Sequence, residues 1–133
     1  MSKEFPVIWF QGAACSGCAV SVLNSLSPNI KNILLDELVP GKHINLLFMP
    51  TVMTASGKTA VDVLVDTEKS KKGEYILLVE GSVPGADFGE VWEKTMENAL
   101  EGLAKNASAI IALGTCSAFG GIPKGNRGPR PCH

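Results

Sequence analysis

The sequence predicts an α/β protein built on a parallel sheet of about four strands with flanking helices. Three observations carry this. Four short apolar runs recur along the chain, separated by stretches with helical spacing. The first run, Pro6-Val7-Ile8-Trp9-Phe10, is continuous rather than alternating, as expected of a strand covered on both faces. Three of the four end in loops of small residues, which a parallel sheet with right-handed crossovers gathers on one edge, where ligands of such sheets bind.

Pro6-Val7-Ile8-Trp9-Phe10 is the first strand, followed by a turn of small residues at 11–14. From about Ser16, the spacing of Val20, Leu23 and Leu26 predicts a helix. Ser27-Pro28-Asn29 interrupts it, and residues 30–38 form a second helical stretch ended by Pro40-Gly41. His43-Ile44-Asn45-Leu46-Leu47-Phe48-Met49 is the second strand. A loop at 50–56, a short helix at 60–67 and a solvated turn around Lys69, Lys71 and Lys72 follow. Glu74-Tyr75-Ile76-Leu77-Leu78-Val79-Glu80 is the clearest strand and ends in a loop at 81–85. Residues 88–104 read as one amphipathic helix with Val91, Trp92, Met96, Leu100 and Leu103 on one face. Residues 107–113 form the fourth strand, expected to be buried. From Ser117 to His133 the chain holds four glycines, three prolines and three positively charged residues without apolar periodicity. That stretch, and 118–133 above all, reads as a loop-like tail.

The 133 residues fit a single domain, 1–133, with 45% hydrophobic and 19% charged residues, a globular composition. A formal net charge of -1 gives no electrostatic footprint for nucleic acid. No apolar run approaches the roughly 20 residues of a membrane span. Met1-Ser2-Lys3-Glu4-Phe5 enters the first strand without a signal peptide, so a cytoplasmic location is expected unless a partner carries the export signal.

The chemistry lies in four cysteines. Trp9-Phe10-Gln11-Gly12-Ala13-Ala14-Cys15-Ser16-Gly17-Cys18 follows the first strand, and Leu113-Gly114-Thr115-Cys116-Ser117-Ala118-Phe119-Gly120-Gly121 follows the fourth. Cys132 stands one residue from the end. Without a signal peptide, four cysteines point to metal or redox use rather than a disulfide framework. The Cys15–Cys18 spacing has three readings. One is a thioredoxin-like dithiol opening a helix. A second is a zinc site, which needs four ligands, commonly as two close pairs. The third is an iron–sulfur cluster, whose thiolates come from loops wrapped around a bulky cube. Spacing alone leaves all three open. Two histidines, His43 and His133, are too few for a histidine-rich site and read as surface residues.

Three motifs resemble the small, electron-transferring subunit of nickel–iron hydrogenases. Val7-Ile8-Trp9-Phe10-Gln11-Gly12-Ala13-Ala14-Cys15-Ser16-Gly17-Cys18-Ala19-Val20-Ser21-Val22-Leu23 is similar to that family's opening motif. Val79-Glu80-Gly81-Ser82-Val83-Pro84 is similar to its middle motif, and residues 113–121 to its third-cysteine motif. The motifs occur in the family's order, and the resemblance spans about residues 5 to 125. It implies a flavodoxin-like, doubly wound sheet with one proximal [4Fe-4S] cluster at the carboxyl edge of its strands. It implies Cys15, Cys18 and Cys116 as ligands, an obligate large-subunit partner holding a nickel–iron centre, and an external electron carrier or further subunit. The family's fourth ligand lies in a Pro-Gly-Cys-Pro motif after another strand and helix. Arg130-Pro131-Cys132-His133 comes much sooner and does not match it, so either Cys132 is a shortened equivalent or the fourth ligand lies on sequence absent here.

Several residues carry a plainer reading beside the functional one. Trp9 is first a core aromatic that would shield a cluster. The resemblance sets Glu80 near the cluster or a subunit interface, and an ordinary ion pair is the alternative. Ser16 is a helix cap or, by resemblance, a neighbour of the partner's proton path. Cys132 is a ligand or an unpaired thiol. A dithiol redox protein using Cys15 and Cys18, and a cluster-free docking domain, are the rival functions.

Overall fold

A computed structural model describes residues 3–36, 40–85 and 88–125. In chain order the elements are β1 (Lys3–Gln11), α1 (Gly17–Leu23), α2 (Ile30–Leu35), β2 (Lys42–Phe48), α3 (Gly57–Ser70), β3 (Ile76–Glu80), β4 (Glu90–Val91), β5 (Lys94–Thr95), α4 (Met96–Asn106), β6 (Ala109–Leu113), α5 (Gly114–Phe119) and α6 (Gly121–Gly125).

β2, β1, β3 and β6 form one parallel sheet in that order. Counting its strands alone, the order is 2-1-3-4, the flavodoxin-like pattern, whose direction reverses between β1 and β3. β1 is rich in β-branched and aromatic residues and sits in the middle, so it is covered on both faces. Ile8 and Phe10 face one side with Phe48, Leu77 and Val79, under Leu64 of α3 and Leu103 of α4. Ile8 and Leu77 are fully buried, and burial of such side chains contributes about 2–3 kcal/mol each. Trp9 faces the other side with Met49, against Ala19 of α1. This second layer is thinner. An apolar cavity of about 180 Å³, lined among others by Val7, Trp9, Leu46, Leu78 and Ile111, lies between sheet and helices.

Local chemistry sets the helix starts. Asn29 accepts from the Asn32 amide at 2.9 Å while the Asn32 side chain accepts from the Asn29 amide at 3.1 Å, a reciprocal cap for α2. Thr95 caps α4 by accepting from the Asn98 amide at 3.2 Å.

Five expectations are corrected. The helix expected at 88–104 begins only at Met96. Its first half is the antiparallel hairpin β4–β5, turned at Trp92 with φ 61. The apolar spacing imitates a helix, but the Thr95 cap fixes the true start. The short helix at 60–67 runs over Gly57–Ser70, helped by the Lys58–Asp62 pair at 2.7 Å. The fourth strand is not buried. β6 is a sheet edge, with Ile110 55% and Ile111 48% exposed. The loop-like tail contains the end of α5 and all of α6 up to Gly125. Ser16 stands at the N-cap position of α1 but its side chain makes no capping bond, and its backbone is left-handed, with φ 63. Cys132 and His133 lie outside the described residues, as do 37–39 of the second helical stretch. Among the described residues no helix is long and apolar enough to cross a membrane.

Candidate metal centre

Parallel pairing brings three loops to one edge. Gln11 is level with Glu80, and Glu80 with Leu113, so the segments after β1, β3 and β6 leave the sheet side by side. This is the reversal point of the strand order, where such sheets bind ligands.

The first loop is stitched to the second. The Gly12 amide donates to the Glu80 carbonyl at 2.8 Å, the Ala13 amide to the Ser82 carbonyl at 2.8 Å, and the Ser82 amide back to Ala13 at 3.2 Å. Ser82 is buried, and its hydroxyl reaches the Ala13 carbonyl at 3.3 Å. This docking needs a glycine at 81. Its φ is +86, and a β-carbon there would lie 2.6 Å from the Ala14 Cβ and 2.9 Å from the Ala13 carbonyl.

Three thiols stand over this platform. Cys15 is exposed, Cys18 and Cys116 are half-buried, and all three are free. Each lies against a glycine. A β-carbon on Gly17 would sit 3.2 Å from the Cys15 sulfur and one on Gly121 3.3 Å from the Cys116 sulfur. A β-carbon on Gly114 would collide with the sulfur of Cys18, which brings the first cysteine setting onto the second. Cys116 is carried by α5, whose Ser117 hydroxyl bonds the Leu113 carbonyl at 2.8 Å. Partial burial first, then the Glu80 carboxylate, then Cys15 and Cys116, hold the Cys18 thiol above its ordinary range.

The donor set suits a soft metal group: three thiols from two backbone segments, with glycines that let main chain and sulfur approach closely. Among the described residues no group of three or more His, Cys, Asp or Glu side chains is gathered tightly enough for a single metal ion.

Glu80 is only 1% exposed, and it forms no ion pair among the described residues. Trp9 Nε1 donates to its Oε2 at 2.9 Å, Gln11 Nε2 to the same oxygen at 2.8 Å, and the Ala19 amide to Oε1 at 3.1 Å. The ion-pair reading of Glu80 is therefore replaced by neutral donors, and Trp9 is both a core aromatic and one of them. Sequence reasoning missed Gln11 and the Ala19 amide. A carboxylate ending a buried strand demands donors, and that demand was the available signal. His43 lies at the start of β2, 3.5 Å from Glu4, at the end of the sheet opposite to the cysteines.

Fold and site define a class: a flavodoxin-like sheet that presents a group of thiols at its reversal point. The chain belongs to the family described as NADH ubiquinone oxidoreductase, 20 Kd subunit, whose model matches residues 15–133. It is 41% identical over 135 residues to the periplasmic [NiFeSe] hydrogenase small subunit of Desulfomicrobium baculatum, across 92% of this chain and 41% of the relative. It is 34% identical over 135 residues to the quinone-reactive Ni/Fe-hydrogenase small chain of Wolinella succinogenes, across 97% and 36%. Among solved structures, the reduced, active Ni-Fe-Se hydrogenase from Desulfomicrobium baculatum matches with a TM-score of 0.78 at 41% identity, over 91% of this chain and 46% of that one. The recombinant [NiFeSe] hydrogenase from Desulfovibrio vulgaris Hildenborough matches with a TM-score of 0.81 at 36% identity, over 98% and 46%. The similarity to nickel–iron hydrogenase small subunits expected from the three motifs is thereby met. The chain spans about two fifths of the length of these curated relatives.

Proposed function

We propose that this chain is the electron-transfer small subunit of a nickel–iron hydrogenase. It carries electrons between a nickel–iron centre on a large-subunit partner and an external carrier, through one [4Fe-4S] cluster. Cys15, Cys18 and Cys116 would hold the cluster, and Cys132 is the proposed fourth ligand. The observation that carries this reading is the packing of the Cys18 sulfur against Gly114, which unites two cysteine settings at one sheet edge. Similarity to hydrogenase small subunits supports the cluster over a dithiol.

The cluster, when bound, supplies reversible one-electron transfer. The chain's residues do the rest. Cys15, Cys18 and Cys116 would bind iron as thiolates, and the glycines beside them leave room for backbone amides to approach the group, which would tune its potential. Trp9, buried beside Glu80, would shield that side of the site from water. Phe119 and Ile122, on the short helices that carry and follow Cys116, are 68% and 90% exposed, apolar surface suited to burial against the partner. The proposed interface is obligate, largely apolar and above about 2,000 Å² in total. Ser16, half-buried beside Cys15, is the proposed neighbour of the partner's proton path. The proposed compartment is the cytoplasm.

The test is anaerobic purification through a tag on this chain, followed by identification of the co-purifying chain and assay of hydrogen-dependent dye reduction. A partner with two Cys-x-x-Cys pairs and activity in the complex is expected. A stable, monodisperse monomer retaining its cluster without a partner would contradict the subunit assignment.

A further inference from the structure

We propose that Glu80 is the positioning residue of the cysteine site, a fixed negative charge that clamps the Cys15–Cys18 loop and holds the cluster at a low reduction potential. This rests on the cluster reading above and goes beyond the ligand set.

The loop begins and ends on this residue. At its start the Gly12 amide donates to the Glu80 carbonyl at 2.8 Å. At its end the amide of Ala19, directly after Cys18, donates to Glu80 Oε1 at 3.1 Å. Between these two bonds lie both cysteines. The other carboxylate oxygen takes Trp9 Nε1 and Gln11 Nε2 from the same face of β1. Gln11 is itself oriented by the Thr51 hydroxyl, which donates to its Oε1 at 2.6 Å, so the loop after β2 joins the network. One side chain thus ties together four segments around the site.

The chemistry calls for a carboxylate. Three N–H groups converge on two oxygens. A glutamine offers one acceptor oxygen and turns an NH₂ group toward donors whichever way it is flipped. Leaving a buried donor unpaired costs about 1–3 kcal/mol. The three donors are neutral, so they satisfy the hydrogen-bonding capacity of Glu80 without cancelling its charge. A negative charge held next to Cys18 would disfavour adding an electron to a cluster bound there, since hydrogen bonding and net charge are the levers that set such potentials.

The experiment compares the parent, Glu80→Gln and Gln11→Met in the complex purified through a tag on the full chain. It reads the cluster midpoint by EPR-monitored redox titration and the rate of iron loss to a chelator. Glu80→Gln is expected to shift the midpoint positive and to lose iron about tenfold faster. Gln11→Met removes one donor and keeps the charge, so it is expected to lose iron faster at an unshifted midpoint. A Glu80→Gln protein with the parent's midpoint and iron-loss rate overturns the proposal. Where Glu80→Gln yields no folded protein, Gln11→Met decides, and retention of iron at the parent's rate overturns the clamp. A parent protein with no cluster fails at the cluster reading itself, a result distinct from a parent cluster indifferent to Glu80.

Discussion

The sulfur of Cys18 occupies the space that a β-carbon on Gly114 would need. The first loop of the chain and the end of the last sheet strand therefore meet at one sulfur atom. Gly114 also has φ +84, a conformation that other residues adopt only with strain.

Gly114→Ala is predicted to push Cys18 out of place and to strain the start of α5. The expected loss is about 3 kcal/mol of stability, with iron well below the parent's content. Iron analysis beside a thermal melt checks it. A variant that binds iron and melts like the parent would show that the two settings do not share a site.

Much of this was legible in the sequence because it rests on local pattern. The runs around Val7–Phe10 and Ile76–Glu80 announce strands through unbroken apolar character, and the cysteine loops announce themselves through glycine. What escaped depends on distant partners. Trp9 and Gln11 are 71 and 69 residues from Glu80, so their hydrogen bonds have no local signature. The exposure of Ile110 and Ile111 follows from β6 lying at the sheet edge, which composition does not encode. The hairpin before α4 was hidden because Val91, Met96, Leu100 and Leu103 keep helical spacing across a turn.

The second prediction concerns pH. Tyr75 is fully buried just before β3 and donates its hydroxyl to the Leu103 carbonyl of α4. Burial first, then the Glu68 carboxylate, push its phenol up to about 12. The raised value means that the folded protein holds the proton longer than the unfolded chain. This contribution is intact below about pH 10 and is lost as the pH rises through about 12. Its size is about 2–3 kcal/mol. Tyr75→Phe should flatten the fall in stability over that window, measured by denaturant melts at a series of pH values. An equally steep fall in the variant would assign the alkaline transition to other groups.

The third prediction concerns Cys132. It stands seven positions beyond Gly125, an extended reach of about 23 Å at roughly 3.3 Å per residue. As the fourth ligand its loss leaves one iron without a thiolate. Cys132→Ser is predicted to convert the four-iron form into a three-iron form on mild oxidation, followed by EPR. An unchanged four-iron spectrum would place the fourth ligand elsewhere.

The most direct measurement of the central claim is iron and acid-labile sulfide per chain in the anaerobically purified complex, for the parent, Cys15→Ala and Cys116→Ala, corrected for metal on any co-purified chain. One cubane predicts about four irons and four sulfides on this chain in the parent. Reduction should bring an S = 1/2 signal, and both cysteine variants should lose metal and signal together. Zinc in place of iron, or iron unchanged in either variant, would contradict it.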